Sequence, residues 1–116
     1  MARVIKINET GTNENCHSMK GLSGETSCWQ MMPSTYRYYS IRVLGYVAEP
    51  TPINQEYVAT MSIGRLAEQY PIDKVLLKWN AGENATKCSR GINSRKIAYN
   101  SCKYVQNGLQ IYNRLK

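Results

Sequence analysis

Between Pro71 and Gly82 the chain places Ile72, Val75, Leu76 and Trp79 at i, i+3, i+4 and i+7, the spacing of a helix that buries one stripe. Proline is tolerated at such a start and glycine suits a left-handed exit, so both ends are marked. The segment reads as a helix that ends at Gly82, so Trp79-Asn80-Ala81-Gly82 stands at its end.

The rest of the chain follows the same grammar. Residues 2–9 lack breakers and bring Val4, Ile5 and Ile7 close to Glu9, which reads as a helix stopping near Gly11. Residues 12–29 are rich in Asn, Ser, Thr and Gly and predict a long irregular loop; such a loop inside a small domain is usually functional. Pro33 opens a short helix to about residue 40. Residues 41–52, with Gly45, Pro50 and Pro52, read as a connector. Ala59, Ile63, Leu66, Ala67 and Tyr70 set a helix over residues 54–70, and Ile97, Tyr104, Val105, Gly108, Leu109 and Tyr112 mark a final amphipathic one, weakened by Gly108. The only ambiguous strand pattern is residues 41–47. The expected fold is mainly α, one domain over residues 1–116, with room for a minor β-hairpin; 116 residues suffice for one core and not two.

Four cysteines, Cys16, Cys28, Cys88 and Cys102, form an even set in a short basic chain, which in an exported protein suggests two disulfides out of three possible pairings. Local pairing, 16 with 28 and 88 with 102, is preferred. Zinc is the weaker alternative, because no Cys-x-x-Cys pair exists and His17 is the sole histidine. The net charge of +7 attracts polyanions without choosing among them. No Lys/Arg run exceeds the near-pairs between Arg90 and Lys96, so a specific nucleic-acid footprint is not expected. Nothing approaches the roughly 20 apolar residues of a membrane span, and the start lacks the apolar core of a signal peptide. Met1 stands eight residues before Glu9, which fits a chain whose targeting segment and N-terminal lead-in lie outside this sequence.

Three elements recur in order: Glu9-Thr10-Gly11, then Gly21-Leu22-Ser23-Gly24 with Trp29-Gln30-Met31-Met32-Pro33, then Trp79-Asn80-Ala81-Gly82. Together they resemble the soluble lytic transglycosylase and goose-type lysozyme group, where a Glu-Ser motif, a Gly-Leu-Met-Gln-Met-Pro-like motif and a Tyr-Asn-Ala-Gly motif line one sugar-binding cleft. Here Thr10 stands for Ser, Trp79 for Tyr, and residues 25–28 form a short insertion that lengthens the Glu9 to Gln30 spacing to 21 residues. Tyr104-Val105 resembles the group's Tyr-Val element on its closing helix.

The resemblance implies a lysozyme-like domain that cuts peptidoglycan. Glu9 would be the single acid and base, with Thr10, Gln30, Met31, Trp79, Asn80 and Tyr104 around the substrate. Cutting a glycosidic bond needs a proton donor, and a carboxyl serves at neutral pH only if an apolar setting raises its pKa. A carboxyl at a helix C-terminus also faces the negative end of the dipole, which favours the protonated form. Glu25, carried by the insertion, is the rival acid. With eight acidic residues in the chain, a one-acid mechanism fits better than the paired carboxylates of hydrolases. In it Glu9 would protonate the MurNAc-GlcNAc oxygen, then take a proton from the sugar's own C6 hydroxyl, leaving a 1,6-anhydro end without metal or organic cofactor. A lysozyme-type hydrolase and an inactive glycan-binding or assembly module are the alternatives. The implied partner is the glycan strand, the implied state a monomer, and the implied location the periplasm, cell wall or a phage.

Overall fold

The computed structural model describes residues 1–11, 16, 25 and 27–116. Most of the loop expected over residues 12–29, including Gly21-Leu22-Ser23-Gly24, lies outside the described residues. Five helices and one hairpin follow in order: α1 (Ala2–Thr10), α2 (Pro33–Leu44), α3 (Pro52–Gln69), α4 (Ile72–Ala81), β1 (Arg90–Ile92), β2 (Ala98–Asn100) and α5 (Ser101–Leu115). The chain is mainly helical, as its periodicity predicts, with a minor hairpin. Among the described residues no helix is long and apolar enough to cross a membrane.

The starts of α2, α3 and α5 have local causes. Pro33 and Pro52 occupy first-turn positions, where a missing N–H costs nothing. The Thr51 side chain accepts from Asn54 N, and the Asn100 side chain accepts from Lys103 N, so α3 and α5 open on side-chain caps. Pro71 is the residue before α4 rather than its first.

The apolar stripes meet in one core. Ile5 of α1, Val58 and Ile63 of α3, and Val75 and Leu76 of α4 are fully enclosed. α5 packs across α4 and α1, while α3 bridges α2, α4 and α1. The crossing of α5 is close at Gly108: a Cβ there would stand 2.6 Å from Leu76 Cδ2 and 3.2 Å from Asn8 Nδ2. The glycine that weakens the helix in isolation is what lets three helices meet.

Several boundaries differ from the sequence reading; α3, for one, already starts at Pro52, which that reading assigns to the connector, and ends at Gln69. Residues 41–44 extend α2 by a further turn until Gly45 closes it in the left-handed region (φ 85°). The connector is then tied by Ser40, whose hydroxyl donates to the Tyr46 carbonyl and accepts from Ala48 N. The hairpin is not at residues 41–47 but at β1 and β2, paired antiparallel with Arg90 opposite Asn100 and Ile92 opposite Ala98. Its arms are three residues long, too short to display alternation. What makes it is the turn: Asn93 Oδ1 accepts from Arg95 N and Ile97 N, and Lys96 takes a positive φ of 61°. Ile97 thus belongs to the hairpin, and α5 begins at Ser101.

Cys16 pairs with Cys28 and Cys88 with Cys102, the preferred local connectivity, and no cysteine is free. Loops of 12 and 14 residues contribute about 3 kcal/mol each on the chain-entropy account. Two such bridges are compatible with an oxidising compartment.

Candidate active site

Glu9 sits in the last turn of α1, one residue before its end, and Gly11 closes the helix with its N–H on the Ile7 carbonyl. Asn8 Nδ2 donates to the Tyr104 carbonyl at 2.9 Å and fixes this end of α1 against α5. The next wall comes from residues 27–32, a tight segment in which Ser27 and Gln30 both adopt positive φ, 73° and 51°. Left-handed backbone at non-glycine residues costs about 1–3 kcal/mol and persists where surroundings enforce it. Here the enforcing contacts are visible. Gln30 Nε2 donates to the Ser27 carbonyl at 2.7 Å, Trp29 Nε1 to the Ala2 carbonyl at 3.1 Å, and Trp79 Nε1 to the Trp29 carbonyl at 3.1 Å.

These elements surround a cleft of about 1010 Å³. Glu9, Gln30, Met31, Trp79, Asn80 and Tyr104 all line it, and so does Glu25. Residues separated by up to 95 positions therefore share one trough. Thr10 is placed differently. It does not line the cleft; its buried hydroxyl lies 3.1 Å from the Lys6 carbonyl and 3.0 Å from the Cys28 carbonyl, where it ties the end of α1 to the disulfide-linked segment. Met31 is 3% exposed and forms floor.

The electrostatics single out Glu9. Burial lifts its carboxyl from 4.5 to about 7; the Tyr104 hydroxyl works against that shift and the Glu25 charge adds to it. Removal from water disfavours the ionised form, so near pH 7 this group is poised between acid and base. The Tyr104 oxygen is enclosed and has no partner at full hydrogen-bond geometry among the described residues. It is nonetheless near enough to the carboxyl that each affects the other's proton: burial first, then the Glu9 charge, pushes the Tyr104 phenol well above its ordinary value.

The aromatic wall is ordered by stacking. Tyr39 lies against Trp79 with ring centres 5.6 Å apart and planes 14° from parallel, and burial pushes its phenol up to about 12. Trp79 has two jobs, as part of the α4 stripe and as the donor that holds residue 29. Asn80, one residue further, is exposed and projects at the cleft edge.

Several lining residues carry no sequence signal. Tyr39 and Lys78 look like ordinary helix positions. Lys78 is 8% exposed and its ammonium donates to the Glu83 carbonyl at 2.7 Å and the Ala85 carbonyl at 3.2 Å, above the Tyr70 ring. It fixes the turn after α4. Tyr99, Asn100 and Lys103 reach the cleft from the hairpin and the first turn of α5, an element whose arms are too short to read. Compared with known protein families, with curated proteins and with solved structures, the chain finds no match.

Proposed function

We propose that this protein cleaves the MurNAc-GlcNAc bond of peptidoglycan as a lytic transglycosylase, with Glu9 as acid and then base. The observation that carries the reading is the Glu9 carboxyl, held at about 7 by burial in a cleft that also gathers Gln30, Trp79, Asn80 and Tyr104. A group with that proton affinity gives up a proton to the bridging oxygen and recovers one from the C6 hydroxyl, so the bond breaks and a 1,6-anhydro ring forms with no net proton change. Gln30 and Asn80 supply amides for sugar hydroxyl and acetamido groups, and Trp79 a face for a pyranose ring. Residues Met1 to Lys116 would act outside the cytoplasm, in a wall, periplasm or phage setting, in keeping with the two disulfides.

Lysozyme-type hydrolysis is the second reading, and Glu25 is its motive. It lines the same cleft and its charge is felt by Glu9, which is what a second carboxylate activating water would require. Digestion of purified peptidoglycan with mass spectrometry of the fragments separates the two. Anhydro-muramyl ends support the first reading, and reducing ends the second. Release of neither, or equal release by Glu9→Gln, would falsify cleavage and leave a glycan-binding module.

A further inference from the structure

Residues 1–83 hold eight Lys/Arg and eight Asp/Glu, while residues 84–116 hold seven Lys/Arg and no acidic residue, so the entire net charge of +7 belongs to the last 33 residues. Those residues build one wall of the cleft. Asn93, Ile97, Ala98, Tyr99 and Asn100 of the hairpin line it, as do Lys103 and Asn107 of α5. Lys103 is exposed on this wall, and Arg90, Arg95 and Lys96 are exposed on the hairpin that contributes to it; the one ion pair among the described residues joins Arg42 to Glu83, a cleft residue outside this segment. The remaining carboxylates of the cleft are Glu9, Glu25 and Glu83, all outside this segment.

The charge is therefore split: carboxylates line the trough, and exposed cations gather on the hairpin and the start of α5 that contribute one of its walls. A polymer whose backbone is itself charged, such as a nucleic acid or a polyphosphate, would have to lay anions beside Glu25, beside Glu83, whose charge Arg42 offsets in part, and beside Glu9 whenever it is ionised. A neutral backbone with pendant anions meets no such conflict. The rim is also pre-set. The Cys88–Cys102 bridge joins its base to α5, Ser89 and Ser101 exchange backbone and side-chain hydrogen bonds at 2.8 to 3.0 Å, and Asn93 Oδ1 fixes the turn that carries Arg95 and Lys96. A rigid array loses little freedom on binding.

We infer that the hairpin and the start of α5 form a cationic rail that selects glycan strands still bearing carboxylate-rich stem peptides over strands stripped of them. The inference rests on the glycan-cleaving reading of the cleft, and its test does not depend on turnover. Glu9→Gln protein, and the same protein with Arg90→Ser, Arg95→Ser and Lys96→Ser added, are sedimented with insoluble peptidoglycan carrying its stems and with the same material after amidase removal of them. The Glu9→Gln protein should bind stemmed strands about ten-fold more tightly, a size set by a few exposed charge pairs. The hairpin substitutions should bring that ratio close to one. A fold check by circular dichroism accompanies them, and for the unaltered hairpin about 0.5 M salt, where screening reaches roughly 4 Å, should erase the ratio equally. Equal binding of both strands, binding of neither, or a single-stranded oligonucleotide held with the same hairpin dependence overturns the rail. Absence of cleavage with the ratio intact would overturn the enzymatic reading alone.

Discussion

Trp79 Nε1 donates to the Trp29 carbonyl at 3.1 Å, across 50 residues of chain. That bond joins the end of α4 to the strained 27–30 turn and so sets Gln30 relative to Asn80. Trp79→Phe keeps a ring to stack on Tyr39 but removes the donor. It should cost about 1–3 kcal/mol of stability, the usual cost of stranding a partly buried carbonyl. Because Gln30 loses its support, peptidoglycan turnover should fall by more than the residual fold stability explains. Chemical denaturation and fragment release, measured on one preparation, check both parts.

Glu9 is held in the fold at the expense of stability. Its folded pKa of about 7 exceeds its ordinary 4.5, so the unfolded chain releases this proton first as pH rises. Below about 4.5 the group is protonated in both states and contributes no penalty; between there and 7 stability is lost, and above 7 the loss is complete at roughly 3 kcal/mol. Glu9→Gln should therefore be more stable than the parent at pH 8, by up to that amount, and no more stable at pH 4. Paired denaturant titrations at the two values decide it. A variant equally or less stable at pH 8 would show a carboxyl that titrates normally.

Tyr104→Phe tests the neighbouring hydroxyl. That oxygen is enclosed without a full-geometry partner, so deleting it leaves no unsatisfied group and should change stability little. The hydroxyl opposes the upward shift of Glu9. Without it the carboxyl's pKa should rise further, and the alkaline limb of the pH-rate profile should move to higher pH with it. A limb that stays put excludes any influence of Tyr104 on the acid, and one that moves down means that the hydroxyl raises the carboxyl's pKa instead of lowering it.

The helices were legible from their apolar spacing, and all but α5 have Pro or Gly at or beside an end; α4 reads straight off Ile72, Val75, Leu76 and Trp79. The helix ends that carry Glu9 and Asn80 were legible for the same reason, while the choice of these two as site residues came from the order of the motifs that resemble the transglycosylase group. Two things were not. The hairpin has arms of three residues and is made by one asparagine side chain accepting two backbone N–H groups, a cause that leaves no periodic trace. Thr10 occupies a motif position, yet its hydroxyl faces the Lys6 and Cys28 carbonyls; the direction of a side chain at a helix terminus depends on which segment packs there, and that segment is 18 residues away.

Gly108 turns the same lesson into a number. On propensity alone Gly108→Ala should help α5 by about 1 kcal/mol. In the fold the added methyl would stand 2.6 and 2.7 Å from the Leu76 methyls and 3.2 Å from Asn8 Nδ2, and because Leu76 is fully buried its methyls can move only by displacing core neighbours. Overpacking of this kind costs about 1–3 kcal/mol. The balance favours destabilisation by about 1 kcal/mol, a drop of several degrees in melting temperature for a domain of this size. α5 must also lift away from α1, and the Asn8 bond to the Tyr104 carbonyl, 2.9 Å in the native fold, lengthens with it. Glu9, next to Asn8, should then admit water and lose part of its raised pKa, so the acid's titration followed by NMR should shift downward together with the melting point. A variant more stable than the parent would mean that α5 crosses α4 with more room than the Leu76 contact allows.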